Sequence, residues 1–287
     1  MAEYDIVAIV GVGLIGGSIG LAMRERGLAR EVIGIGRRTS TLEAAERLGA
    51  IDRGTTDVAK GVSNARLVAV CTPVNAIAET VARVATACPQ ESLIIDAGST
   101  KEDVVAIIDA ALSTRRHGPR FVGSHPLAGD HRGGPEHSRA DLFDGRTVVI
   151  TPTDETRPAA ALEATGFWQS LGAKVVTMAP AEHDAALAMT SHLPHLVAAA
   201  LAAATAHDVL PLAASGWRDT TRVAGGDAEL WRPIFATNRQ HVLAALDRYN
   251  SVLAALRDAL EQGDDEHLVQ ILERAKQVKA KRDALGD

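Results

Sequence analysis

The sequence predicts an α/β protein: a doubly wound sheet with helices on both faces, followed by an all-helical segment. Three observations lead there. Short continuous runs of β-branched and other apolar residues alternate with helix-patterned stretches through the first half, as expected where helices cover both faces of a sheet. The first run ends in a glycine-rich turn that opens a helix. After about Pro180 the strand signals stop, and patterns rich in Ala and Leu take over.

In chain order, strands are expected at Asp5–Val10, Glu31–Ile35, Leu67–Cys71, Leu93–Asp96, Arg120–Gly123, Val148–Thr151 and Lys174–Thr177. Helices are expected between them at Gly16–Arg26, Thr41–Leu48, Val74–Ala87, Lys101–Leu112 and Thr156–Leu171. The second half reads as helices over Ala181–His207, Pro211–Trp217, Pro233–Gln262 and Asp265–Ala284. A boundary near Ala179–Pro180 divides a domain of residues 1–179 from one of residues 180–287. Apolar helices in so short a second domain need a partner surface, which a second copy of the chain would supply.

Composition narrows the function classes. A length of 287 residues allows two modest domains, and 46% hydrophobic with 23% charged residues is ordinary soluble material. Aromatics reach only 3%, so the core must rest on aliphatic packing. A net charge of −6 argues against a general nucleic-acid binder. Cys71 and Cys88 have neither disulfide density nor zinc-ligand spacing, which suits a reducing compartment. The chain shows no signal-peptide order and no apolar run of about 20 residues, so a cytoplasmic protein without membrane contact or an appended regulatory domain is expected.

The run Ile6–Val10 leads into Gly11-Val12-Gly13-Leu14-Ile15-Gly16-Gly17-Ser18. Spaced glycines there permit a tight turn, close approach of backbone to a pyrophosphate, and close helix–strand packing. This is the signature of a Rossmann-type dinucleotide site. The second strand ends in Ile35-Gly36-Arg37-Arg38-Thr39 rather than in an acid. Guanidinium groups there suit the 2′-phosphate of NADP, with NAD the alternative. Cofactor contacts are expected from Gly11, Gly13, Leu14, Ile15, Gly16, Arg37, Arg38, Thr39, Thr72 and Pro73. No metal is expected: His192 and His195 lie three apart, but no thiolate or acid completes a set.

Further motifs follow in order: Asp96-Ala97-Gly98-Ser99-Thr100-Lys101, Gly123-Ser124-His125-Pro126-Leu127-Ala128-Gly129, His183-Asp184, and Ser191-His192-Leu193-Pro194-His195. The series closes with Gly216-Trp217-Arg218-Asp219-Thr220-Thr221-Arg222, then Leu230-Trp231 and Asn238. This ordered set resembles the prephenate/arogenate dehydrogenase family of tyrosine biosynthesis, from the first strand to about Asn238. The resemblance implies oxidative decarboxylation of a cyclohexadienol with hydride transfer to a nicotinamide. It implies His125 as the catalytic histidine and Ser99 as a serine orienting it, where serine also suits a helix cap. It implies Arg222 as the arginine for the substrate carboxylate. Arg218, His192, His195, His131 and Trp231 are further candidates for the substrate pocket, Trp231 resembling a tryptophan presented across a dimer interface. His131 departs from the family, several members of which carry an acid there; substrate choice and tyrosine feedback are thereby left open.

Other readings are a two-domain reductase of the β-hydroxyacid or imine reductase type, which relies on a catalytic lysine or a different pocket, and a non-catalytic nicotinamide sensor. The sensor would have no need of His125, Ser99 and Arg222 together.

Overall fold

The computed structural model describes residues 3–113, 118–129 and 132–284. The chain divides into two compact units, Met1–Arg239 and Gln240–Asp287. The first is built on one sheet. Its elements run β1 (Tyr4–Val10), α1 (Leu14–Glu25), β2 (Ala29–Ile35), α2 (Thr39–Arg47), β3 (Arg53–Thr55), α3 (Val58–Val62), β4 (Leu67–Val70) and α4 (Val74–Ala85). Then come β5 (Leu93–Asp96), α5 (Glu102–Leu112), β6 (Arg120–Pro126), β7 (Thr147–Thr151), α6 (Pro158–Ser170) and β8 (Lys174–Thr177).

The strands lie in the order β3-β2-β1-β4-β5-β6-β7-β8. The chain turns outward in opposite directions from β1, whose neighbours are β2 and β4 in parallel register, with Val10 opposite both Ile35 and Val70. Such a reversal opens a crevice at the carboxyl ends of the strands, where ligands of open α/β sheets gather. Alternate residues of β1 feed two separate cores. Val7 and Ile9 join Ile19, Met23, Phe143 and Trp168 on one face; Ala8 and Val10 join Val68, Ile77 and Val81 on the other. Burial on both faces is why these strands read as unbroken apolar runs.

The sheet departs from the expectation in two places. β3 and α3 were not anticipated, because Arg53-Gly54-Thr55 has no apolar run and α3 is a single short turn. β7 pairs antiparallel with β6, His125 lying opposite Val149. The β6–β7 connection carries only a 3₁₀ turn at Pro135–His137 among its described residues. A parallel pairing would need a crossover, normally a helix.

The first unit continues through α7 (Pro180–Leu187), a π-type turn at Ala188–His192, α8 (Leu193–Ala204), α9 (Ser215–Thr221) and α10 (Ala228–Thr237). The helix expected over Ala181–His207 is thus re-registered just before Pro194, which cannot donate to the carbonyl of Thr190. The segment Pro211–Trp217 begins in a 3₁₀ turn instead of a helix, and Pro233–Gln262 is broken at Asn238. Pro180–Ala204 contains an 18-residue window of mean hydropathy 1.4, enough by length and composition to cross a membrane. His183, Asp184 and His192 within it are buried and hydrogen-bonded inside the unit.

The second unit holds α11 (Arg239–Gln262) from Gln240 onward and α12 (Asp265–Ala284), joined at Gly263 with φ +67°. Leu243, Val252, Leu253 and Leu260 on α11 and Val269, Leu272 and Val278 on α12 are exposed.

Candidate active site

The glycine loop joins β1 to α1 at the sheet's reversal point. Gly11 adopts φ +97°, and a Cβ there would meet the Cys71 carbonyl oxygen at 2.6 Å; at Gly16 it would meet the Gly11 oxygen at 2.2 Å. At Gly13 a Cβ would meet nothing within 4 Å, so the backbone borders open space. α1 begins at Leu14, with Ile15 and Gly16 following; its first turn carries no acid and no side-chain cap. Its amides and positive dipole end are therefore offered outward. Across the crevice, the buried Thr72 hydroxyl has no hydrogen-bond partner among the described residues, and Pro73 is the N-cap of α4. An open glycine cradle, a bare helix N-terminus and an orphan hydroxyl fit a dinucleotide pyrophosphate.

At the end of β2, Arg37, Arg38 and Thr39 are exposed, Arg38 being the N-cap of α2. From the β6–β7 loop, Ser138 Oγ lies 3.2 Å from the Leu14 carbonyl, and Arg139 N–H donates to Ser18 Oγ at 3.1 Å. The loop that follows His125 is thereby tied to the helix that opens the cofactor cradle.

Beside this cradle runs a polar chain, half-buried at His125 and buried beyond it. His125 lies near the carboxyl end of β6, with Nδ1 2.9 Å from His183 Nε2. His183 Nδ1 lies 2.7 Å from Asp184 Oδ1. The Lys101 and Glu102 amides donate to the Asp184 carboxylate at 2.8 and 2.9 Å, so Asp184 caps α5. Asn238 Nδ2 donates to the Asp184 carbonyl at 2.9 Å and to His192 Nδ1 at 3.0 Å. Burial holds the His125 imidazole well below its ordinary pKa, reinforced by His183, Lys101 and His192. Burial also pushes His192 down to about 4, against the raising effect of Asp184. Both rings are neutral near physiological pH.

Beneath the chain, Lys101 is fully buried and ion-paired to Asp96, which also accepts the Ser124 amide at 2.9 Å. Ser99 stands half-buried in the turn between β5 and α5. The expected Ser99 cap gives way to the Asp184 carboxylate, because α5 starts two residues later than a Ser99 cap requires.

The residues expected on the substrate scatter more widely. His195 stacks on Trp231, with ring centroids 3.8 Å apart, and its buried Nδ1 has no hydrogen-bond partner among the described residues. Trp231 thus packs on a ring of its own chain. His192 approaches Trp231 edge-on at 6.0 Å. Arg218, in α9, and Arg222, in the 3₁₀ turn after it, are exposed. His131 lies outside the described residues. Among the described residues no group of three His, Cys, Asp or Glu side chains is gathered as for a metal.

Sequence reasoning left His183, Asp184 and Asn238 without an assigned role. Asp184 and Asn238 were visible within the motifs, but what they join lies 83 and 46 residues away. Only the fold supplies that pairing.

Comparison with known proteins adds independent findings. A family model described as the nucleotide-binding domain of prephenate dehydrogenase matches residues 19–177, starting just past the glycine loop, and one described as its dimerization domain matches residues 179–274. Prephenate dehydrogenase of Bacillus subtilis (strain 168) is 35% identical over 95% of this chain and 74% of its own. The solved structure of prephenate dehydrogenase from A. aeolicus with hydroxyphenyl propionate and NAD+ superposes with a TM-score of 0.88 at 31% identity, covering 98% of each chain. Synechocystis arogenate dehydrogenase gives a TM-score of 0.83 at 30% identity, covering 96% of this chain and 99% of that one.

Proposed function

The chain belongs to the prephenate dehydrogenase family, and from that premise we propose that it oxidatively decarboxylates prephenate, arogenate or both, with NADP preferred over NAD. The observation that carries this reading is the half-buried His125 imidazole near the carboxyl end of β6, its pKa held well below the ordinary value by its surroundings, beside strand ends that fit a dinucleotide. A base must be unprotonated to take a proton, and burial keeps His125 so.

The bound nicotinamide supplies the hydride acceptor. His125 accepts the proton of the substrate's ring hydroxyl as the hydride leaves the same carbon. Loss of the ring carboxylate as carbon dioxide returns an electron pair to the ring and makes it aromatic. The proton held on His125 then goes back to the phenol oxygen, so no net proton is consumed. Ser99, at the carboxyl end of β5, orients His125 and the hydroxyl. Arg222, with Arg218 near it in sequence, takes the side-chain carboxylate, where a bidentate guanidinium contact is strongest. His192, His195 and Trp231 line the pocket, and His131 is the further substrate candidate from the loop after His125.

Gly11, Gly13, Leu14, Ile15, Gly16, Thr72 and Pro73 hold the cofactor's pyrophosphate and nicotinamide side. Arg37, Arg38 and Thr39 take its 2′-phosphate. Residues 1–179 form the cofactor domain, residues 180–287 the substrate and dimerisation domain, and the enzyme works as a cytoplasmic homodimer. A reductase with a catalytic lysine fits less well, since Lys101 is fully buried in an ion pair with Asp96.

The test is the appearance of reduced nicotinamide with prephenate and with arogenate, each with NAD and NADP. Turnover of at least one ring substrate, faster with NADP, is expected. No turnover of either would overturn the reading of the substrate, and faster turnover with NAD that of the cofactor.

A further inference from the structure

His183 and Asp184 touch no open space, yet they continue the polar chain from His125 into the core. Both are buried, at 0% and 1% exposure. The Asp184 carboxylate accepts two backbone amides at the start of α5 and lies 2.7 Å from His183 Nδ1. An ionised carboxylate only accepts, so His183 Nδ1 carries a proton and donates it to Asp184. With that proton as the ring's one proton, His183 keeps a lone pair on Nε2, which faces His125 Nδ1 at 2.9 Å. That contact is a hydrogen bond only if His125 Nδ1 carries its ring's proton.

We propose that Asp184 and His183 are positioning residues that fix His125 as the Nδ1–H tautomer, leaving its Nε2 free as proton acceptor. The ring would otherwise divide between tautomers, and the Nε2–H form cannot take a proton from substrate at that atom. When Nε2 receives the hydroxyl proton, the Nδ1–H bond to His183 stays in place and stabilises the imidazolium. This proposal rests on His125 being the base. Other charged or titratable groups near the ring are Lys101, held by Asp96, and His192, whose Nδ1 accepts from Asn238.

The direct readout needs no variant of the positioning residues. Histidine ring nitrogens are isotope-labelled in the whole enzyme, and the His125 signals are identified by their loss in His125→Asn. A protonated Nδ1 and bare Nε2 are expected at neutral pH; a protonated Nε2 would overturn the proposal. Kinetics supply a second readout. His183→Phe, which removes the acceptor and keeps a ring, is expected to lower kcat about 10–100-fold with KM nearly unchanged, less than the ~10²–10⁴-fold carried by a base itself. His183→Gln, whose carbonyl can accept from Nδ1, is expected to regain much of the loss.

In a His125→Asn background, His183→Phe should cost nothing more. An equal further fall would mean that His183 acts on folding or binding alone, which would sink the proposal. If His125→Asn itself kept full activity, the fault would lie with the base assignment instead, whatever tautomer the ring showed.

Discussion

The hydrogen-bonded histidines and the exposed arginines of the first unit are held in opposite ways. His183 and His192 are buried and His125 half-buried in a hydrogen-bonded chain closed by Asp184 and Asn238. Arg37, Arg38, Arg218 and Arg222 stand exposed. A preorganised group costs nothing to arrange when the reaction begins, and burial tunes its proton affinity. An exposed cation keeps its charge and its mobility until an anion arrives. The first kind of residue suits the chemical step; the second suits the choice of what is bound. Variants in the two sets should therefore fail differently.

The largest effect is expected at His125. His125→Asn should lower kcat by about 10²–10⁴-fold, with cofactor affinity, measured by fluorescence of bound reduced nicotinamide, unchanged. Near-normal turnover would remove His125 from the mechanism. Arg222→Ala should instead raise KM by roughly 10–100-fold, the equivalent of losing a charge-assisted hydrogen bond, with a much smaller change in kcat. A fall in kcat alone would move Arg222 into the chemical set.

The contrast also predicts how acid acts on the fold. His192 is neutral when folded, with a pKa of about 4 against 6.5 for the free side chain. Between those values the unfolded chain binds the extra proton, so stability is full above 6.5 and falls as the pH drops towards 4. The loss from His192 amounts to about 3 kcal/mol at the bottom of that window. His192→Asn should flatten this dependence in denaturant titrations, whereas Arg222→Ala should leave it alone. The smallest effect is expected at the cofactor's edge. Gly36→Asp should shift preference from NADP towards NAD by about tenfold through charge repulsion. A Cβ there sits 3.3 Å from Leu42 Cδ2, a flexible side-chain end that can yield, so the fold should survive.

The same division explains what was legible in the sequence. The glycine loop, Arg37-Arg38 and the strands buried on both faces are local patterns, and each announces itself within a few residues. β3 was illegible because Arg53-Gly54-Thr55 pairs with β2 without an apolar signal of its own. The break at Asn238 was missed because the flanking stretches both read as helix. His125 could be singled out by its place after a strand and by resemblance. Its partner His183 stands 58 residues on, and no periodicity joins them. Ser99 looked like a cap by type, yet the capping oxygens come from Asp184, 83 residues from Lys101. Residues that work through buried long-range hydrogen bonds leave their identity in the sequence but not their role.

The pH dependence of kcat/KM is the most direct test of the central claim, that a neutral His125 takes the hydroxyl proton. Activity should hold as the pH falls through 6.5 and decline only below it, since His125 is held well under that value and the acid limb reports the base of the free enzyme. The His125→Asn enzyme should lack that limb. An acid limb centred at or above 6.5, or one that persists unchanged in His125→Asn, would contradict it.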